Sequence, residues 1–128
     1  MADVSNTRFV YRFGSATDDA LTPRQKDLLG VSGSKPGLSV ERNTPPSGQK
    51  VQKLDLARLQ GTGLAFLPDD EALGGRAEHG VIAPVTEAGG VDDGLLKEWA
   101  ACRGTGIRHR FTEVILNAIV DYKARSSE

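Results

Sequence analysis

Alternation between apolar and polar positions predicts several short β-strands in this chain. In the segment TRFVYRF (7–13), the aromatic residues fall on one face, while the two arginines and Val10 fall on the other. Short apolar segments bounded by glycine, proline or polar residues predict further strands. These lie at Leu38–Val40, 49–56, 64–68 and 79–85. The stretches between them are predicted to be loops: 31–37, 41–48 and 69–78.

An apolar stripe with helical spacing predicts that the chain closes on an amphipathic helix. From Phe111 to Lys123 the apolar residues recur at i, i+3, i+4, i+7, i+8 and i+11, so one face of the helix would be continuously apolar. Another helix is predicted over 94–102, and Asp92 or Asp93 is expected to cap it.

Two shorter helical segments are predicted from their starting signals. Thr22 at the N-cap, with a proline next and Gln25 in third place, predicts a helix over 23–29. Asp55 is expected to cap a single helical turn. Strands and helices in this order predict one α+β domain over residues 1–128, built on a sheet with two to three flanking helices.

Composition removes several classes of function. A net charge of −1, with acids and bases mixed along the chain, does not favour a general electrostatic grip on nucleic acid. The single cysteine, Cys102, cannot form an internal disulfide, and it continues the apolar stripe of the helix at 94–102, so we predict that it is buried. No apolar run approaches the roughly 18 residues of a membrane span, and the first residues lack the apolar segment of a signal peptide.

Familiar site motifs are missing from the sequence. Cys102, His79 and His109 are scattered without zinc-ligand spacing, so no metal site is predicted. Neither GxxxxGK nor a strand followed by GxGxxG occurs. A Ser/His/Asp hydrolase is conceivable from composition, although no GxSxG turn occurs.

A local basic cluster precedes the last predicted helix, and it is the place where RNA or an acidic protein would bind. Its members are Arg103, Arg108, His109 and Arg110.

Three short segments remain as candidates for chemistry: VYRF (10–13), GLSV (37–40) and EHGVI (78–82). Their order resembles that of ADP-ribosyltransferases of the arginine–serine–glutamate kind, especially the small toxin domains of bacterial type VI and Rhs-type effectors. The resemblance extends to a KVxKLDLxxL-like segment at 50–59, an HxxIxP-like strand at 79–84 and an FTxxxLxAI-like helix at 111–119. It spans most of the chain.

The resemblance implies a split β-sheet core, NAD as the cofactor and a set of site residues. Arg12 matches the first motif and would hold the NAD phosphates, since a guanidinium can donate two parallel hydrogen bonds to a phosphate. Tyr11 beside it would stack on nicotinamide. Ser39 would support the nicotinamide end and orient the acid. His79 would bind the ribose or the nicotinamide amide.

The catalytic acid is expected to stabilise the oxocarbenium-like centre that forms when the nicotinamide bond breaks. Glu78 is the first candidate because it stands beside the third motif. The family has two acids separated by one residue, whereas this chain has Glu78 alone before His79. The family's middle segment also has a second hydroxyl where this chain has Glu41. Glu41 and Glu113 are therefore alternative acids.

These assignments predict an NAD-dependent ADP-ribosyltransferase toxin that modifies a macromolecule, protein or RNA, in a competing bacterial cell. The resemblance implies a secreted effector that acts in the target-cell cytoplasm, and a cognate immunity protein that blocks it in its own cell. Two alternatives stay open. One is a protein- or RNA-binding module without chemistry; the other is an RNase-type toxin that uses His79 and His109 as acid and base.

Overall fold

The computed structural model describes residues 7–43 and 51–123. Within these ranges six strands form one antiparallel sheet with the order β4-β5-β2-β1-β3-β6. The strands are β1 (Phe9–Phe13), β2 (Leu38–Glu41), β3 (Val51–Asp55), β4 (Leu64–Pro68), β5 (His79–Pro84) and β6 (Ile119–Lys123). The flanking helices are α1 (Asp93–Ala101) and α2 (Arg110–Ala118). The predicted α+β fold is confirmed.

The sheet has two three-stranded halves, β4-β5-β2 and β1-β3-β6, which meet between β1 and β2. β1 pairs with β3 along all its residues, but its register with β2 contains the single pair Tyr11 and Glu41. We call this β1–β2 junction the seam.

One face of the sheet is buried under the helices and forms the core. Val10, Leu38 and Ile82 from three strands are fully buried there, together with Trp99 of α1 and Phe111 of α2. The two rings pack edge to face with centroids 5.5 Å apart. Because side chains alternate along a strand, Tyr11, Ser39 and Glu41 point to the opposite face, which we call the second face.

Two of the caps predicted from the sequence, Asp92 and Asp55, are confirmed. Asp92 caps α1 by accepting the Leu95 N–H at 3.1 Å, and Asp55 caps a short 3₁₀ helix (Leu56–Leu59) by accepting the Ala57 N–H at 3.0 Å. The predicted strand at 49–56 is observed as Val51–Asp55, and residues 49 and 50 lie outside the described ranges.

The predicted final helix is wrong beyond Ala118. The chain leaves the helix at Ile119, which has extended backbone angles, and Ile119–Lys123 becomes the edge strand β6 beside β3. The helical stripe of apolar residues does continue through this segment. However, β-branched Ile119 and Val120 also suit a strand, and pairing satisfies the free main-chain groups of β3.

The predicted helix at 23–29 is also wrong in type and start. The structure has a four-residue 3₁₀ helix, Gln25–Leu28, that begins after Arg24. Thr22 does not cap it, because its hydroxyl donates to the Asp18 carbonyl at 2.6 Å and contacts the Thr112 hydroxyl at 2.9 Å in the core.

Two local details differ from the predictions: the burial of Cys102 and the conformation of residues 69–78. Cys102 is only half-buried, at the end of α1. The predicted loop at 69–78 contains a 3₁₀ helix, Glu71–Leu73. In the part of the chain that the structure describes, no helix has the length and apolar character needed to cross a membrane.

Candidate functional site

The three candidate segments come together because they lie on adjacent strands. β2 lies between β1 and β5, and its register places Glu41 opposite both Tyr11 of β1 and His79 of β5. Directly paired residues of antiparallel strands share a face. Tyr11, Glu41 and His79 therefore lie side by side on the second face, and Ser39 lies on the same face two residues before Glu41 in β2.

Ser39 and His79 are joined by a hydrogen bond, and His79 is joined in turn to Asp69. The Ser39 Oγ lies 2.5 Å from the His79 Nε2, and the His79 Nδ1 lies 2.9 Å from the Asp69 Oδ1. Of the side chains, that of His79 is 15% exposed and that of Asp69 is 4% exposed. We call the three residues the Ser39–His79–Asp69 row.

Asp69 is held in its ionised form. Burial acts to raise the pKa of Asp69, but hydrogen bonds from His79, the Arg76 main-chain N–H and Ser34 outweigh it, so this pKa lies below its usual value. A carboxylate only accepts hydrogen bonds, so the proton on His79 is at Nδ1. In the neutral imidazole the His79 Nε2 is then an acceptor, and the Ser39 hydroxyl donates to it.

Sequence reasoning missed Asp69, which it placed in an exposed loop. The main-chain N–H of Asp69 donates to the His79 carbonyl at 3.0 Å and so extends the β4–β5 ladder by one residue. Both strands were predicted from the sequence. Pairing them as neighbours with Pro68 opposite Gly80 would have placed Asp69 beside His79, but no local signal gives that register.

Two carboxylates near the row differ in position. Glu41 lies on the second face with 20% of its side chain exposed, and its Oε2 accepts from Arg76 Nη2 at 2.9 Å. Glu78 is 40% exposed, and its Oε1 lies 3.9 Å from Arg76. The third candidate, Glu113, lies on α2 and pairs with Arg108 at 2.8 Å. Of the three candidate acids, Glu41 is thus the one that shares a sheet face with Ser39 and His79.

Arg12 crosses the seam instead of pointing to the row. Its guanidinium donates to the Ala20 carbonyl from Nε at 3.1 Å and Nη2 at 2.8 Å, and to the Ser39 carbonyl from Nη1 at 2.6 Å. Burial lowers the pKa of Arg12 to about 10. By alternation Arg12 shares the core face with Val10. These contacts make Arg12 a residue that positions Ser39 across the seam, where main-chain pairing is sparse.

Glu78 opens onto a groove at the end of the sheet. The groove has a volume of about 340 Å³ and is lined by Thr7, Arg8, Phe9, Arg42, Asn43, Ala77 and Glu78. Arg42 is held by Thr7 Oγ1 and the Ala77 carbonyl, both at 3.0 Å. Its main-chain N–H donates to the Glu78 carbonyl at 2.6 Å. The groove therefore begins one residue beyond the pair Glu41 and His79.

Two arginines, Arg8 and Arg42, and the aromatic ring of Phe9 line the groove, and these groups can bind a phosphorylated ligand. Arg8 forms a forked pair with Asp55, with Nε at 3.3 Å from Oδ1 and Nη2 at 3.2 Å from Oδ2. The Lys53 Nζ lies 4.2 Å from the centre of the Phe9 ring. Arginine can bind phosphate oxygens in pairs, and an aromatic ring can stack on a base.

The arginines of the basic cluster are occupied by contacts within the protein. Arg108 pairs with Asp18 at 2.9 Å and with Glu113 at 2.8 Å. Arg103 and Arg110 donate to main-chain carbonyls. Two carboxylates neutralise Arg108, which lowers the attraction of this cluster for a polyanion.

His109 has a structural position that is separate from the row. It caps α2 through Nδ1, which accepts the Phe111 N–H at 3.0 Å, and its Nε2 lies 2.7 Å from Glu98. The structure gives His79 and His109 no common hydrogen-bond partner. In the described residues, no group of three or more His, Cys, Asp or Glu side chains is arranged to hold a metal ion.

Comparison with known proteins adds no assignment: no protein family, no curated protein and no solved structure matches this chain.

Proposed function

We propose that this chain is an NAD-dependent ADP-ribosyltransferase of the bacterial toxin kind, as the resemblance of its motifs implies. The observation that carries the proposal is the convergence of the three candidate segments on β1, β2 and β5. Ser39 and His79, both assigned to the nicotinamide end from sequence, are hydrogen-bonded to each other on one sheet face. A reactive centre on this face would lie beside the seam.

Glu41 is our choice for the acid that stabilises the oxocarbenium-like centre. It lies opposite His79 in the β2–β5 register and shares the second face with Ser39. Its ion pair with Arg76 fixes one of its oxygens and leaves the other for the substrate. Glu78, the acid first expected, faces the groove instead, so it would meet a more distant part of the cofactor.

The groove supports a second assignment, for the NAD phosphates. Arg12 was expected to bind them, but its guanidinium is committed to the carbonyls of Ala20 and Ser39. Arg8 and Arg42 line a groove that starts next to the row, and among the residues that the structure describes each keeps donors without a protein acceptor. We assign the diphosphate to these two arginines.

The remaining parts of the proposal follow from the resemblance. The acceptor is a macromolecule, protein or RNA, in a competing bacterial cell. The chain acts as a secreted effector in the target-cell cytoplasm, delivered by a type VI or related route. A cognate immunity protein protects the producing cell, and it is expected to cover the second face.

Label transfer from NAD tests this proposal. The purified domain is incubated with NAD labelled in the adenylate phosphate and with bacterial lysate, and label on macromolecules is followed with time. We expect transfer by the wild type and a loss of at least about 100-fold in Glu41→Gln, because one stabilising contact to a transition-state charge is worth about that factor. Glu87→Gln, a matched change of an exposed acid, should transfer normally.

Parallel variants separate the function from the assignment of its acid. A loss in Glu78→Gln with normal transfer by Glu41→Gln would keep the enzyme and move the acid. Normal transfer by both variants and by His79→Gln would reject the site. Wild-type protein that transfers no label to any lysate, but binds a protein or degrades RNA, would reject the proposed function.

A further inference from the structure

The Ser39–His79–Asp69 row orders its groups as a nucleophilic serine requires. The hydroxyl donates to one imidazole nitrogen, and a buried carboxylate accepts from the other. In this order the carboxylate fixes the imidazole tautomer, and the imidazole removes the proton from the hydroxyl. ADP-ribosyl transfer from NAD does not require these two roles, because it does not use a serine nucleophile.

We propose that Ser39 is an activated nucleophile and that the second face of the sheet hydrolyses small carboxylic esters with good leaving groups. This activity goes beyond the ADP-ribosyl transfer proposed above and does not depend on it, because it uses the row alone. The groove of Arg8 and Arg42 is not required.

The reaction balances within the row, the ester and one water molecule. The Ser39 Oγ forms a bond to the ester carbonyl carbon while its proton passes to the His79 Nε2. The bond from that carbon to the leaving oxygen breaks, and the leaving group takes the proton from His79. A water molecule then gives a proton to His79, attacks the acyl carbon and releases the acid, and the proton returns to the Ser39 Oγ.

Asp69 supports each step without giving up its charge. It is nearly fully buried and holds the proton of His79 at Nδ1, so the imidazolium formed during attack has a carboxylate 2.9 Å away. Its second oxygen accepts the Arg76 main-chain N–H at 3.1 Å, which fixes the orientation of the carboxylate. The row is thereby held in one geometry before a substrate arrives.

The position of Ser39 in the middle of the sheet is expected to keep ester hydrolysis slow. Ser39 lies inside β2, where it is paired with Val81, and not on a strand-to-helix turn with exposed amides. An oxyanion donor contributes a factor of about 10²–10³ to the rate of such reactions. We therefore expect slow ester turnover, and covalent capture of Ser39 is the more sensitive measurement.

A fluorophosphonate probe tests the inference directly. Attack by the Ser39 Oγ forms a phosphorus–oxygen bond, fluoride leaves, and His79 takes the hydroxyl proton. Peptide mass spectrometry should find the added mass on Ser39 of the wild type and on no residue of Ser39→Ala. The labelling rate should fall at least about 100-fold in His79→Gln, the size expected for loss of a general base. Asp69→Asn should also slow labelling.

The controls separate activation from mere exposure. Ser32→Ala changes an exposed serine in a turn and should label at the wild-type rate. Circular dichroism of each variant checks that the fold is retained, and His79→Asn is the replacement if His79→Gln unfolds. Label on Ser39 at equal rates in the wild type and the folded His79 variant would overturn the inference. Absence of label on wild-type Ser39 would overturn it as well.

p-Nitrophenyl acetate hydrolysis completes the test. We expect turnover above the buffer rate by the wild type, and its loss in Ser39→Ala. This result is independent of label transfer from NAD. Ester hydrolysis without NAD transfer would reject only the proposed function, and NAD transfer without Ser39 labelling would reject only this inference.

Discussion

Replacement of Arg12 by alanine should destabilise the domain, because Arg12 joins the two halves of the sheet. The guanidinium donates one hydrogen bond across the seam to the Ser39 carbonyl, where β1 and β2 have a single residue pair in register, and two hydrogen bonds to the Ala20 carbonyl in the turn that follows β1. A hydrogen bond from a charged group is worth about 1.5–3 kcal/mol, so the loss of donors at two carbonyls costs roughly 4 kcal/mol.

The cost of burying the charge offsets part of this contribution. Burial lowers the pKa of Arg12 to about 10, and a shift of this size corresponds to roughly 3 kcal/mol against the charged form. Alanine avoids that cost, but it also removes the apolar stem that packs beside the core. We therefore expect a net loss of about 2 kcal/mol and a fall in melting temperature of roughly 8 °C for a domain of this size.

Thermal unfolding followed by circular dichroism measures the effect. Arg58→Ala is the matched control, since Arg58 is exposed and, within the described residues, its guanidinium donates only to the Asn117 carbonyl, at 3.0 Å. Its melting temperature should change little. If Arg12 were free to bind NAD phosphates, Arg12→Ala would weaken NAD binding and leave stability unchanged. A melting temperature for Arg12→Ala equal to that of the control would refute the positioning role.

Three further predictions concern stability. The fold lowers the pKa of Asp69, so ionised Asp69 stabilises the fold above the ordinary aspartate pKa, and this contribution is lost as pH falls through the lowered pKa. In urea unfolding from neutral pH to about pH 3, the free energy of unfolding should therefore fall more steeply for the wild type than for Asp69→Asn. Thr112→Val removes the acceptor of the Trp99 Nε1–H at 2.9 Å and should lower the free energy of unfolding by about 2 kcal/mol; an unchanged urea midpoint would contradict this. His109→Ala removes the N-cap of α2 and should cost about 1 kcal/mol in the same assay, whereas no loss would show that the cap is dispensable.

Local signals in the sequence predicted most of the secondary structure. The strands around Ser39 and His79, and the cap at Asp92, depend on residues within a few positions of each other, so periodicity and cap residues suffice. The exceptions depend on distant partners. The segment after Ala118 has a helical pattern of apolar residues, yet it pairs with the edge of β3 and forms a strand.

The candidate site was predicted in part for the same reason. Resemblance of motifs singled out Ser39 and His79, and the structure brings these two side chains into contact. Asp69 was missed because its partner is ten residues away across a hairpin register that no local pattern specifies. The contacts of Arg12 were missed because the carbonyls that it binds belong to a turn and to a neighbouring strand.

The proposed chemistry requires the His79 Nε2 to act as a base towards Ser39, and the tautomers of the two histidines show whether it can. A long-range ¹H–¹⁵N correlation spectrum, recorded at alkaline pH, distinguishes the protonated from the unprotonated nitrogen of each ring. We predict opposite tautomers: His79 protonated at Nδ1, facing Asp69, and His109 protonated at Nε2, facing Glu98. A His79 ring protonated at Nε2, or one that shows the averaged signals of a free imidazole, would contradict the account.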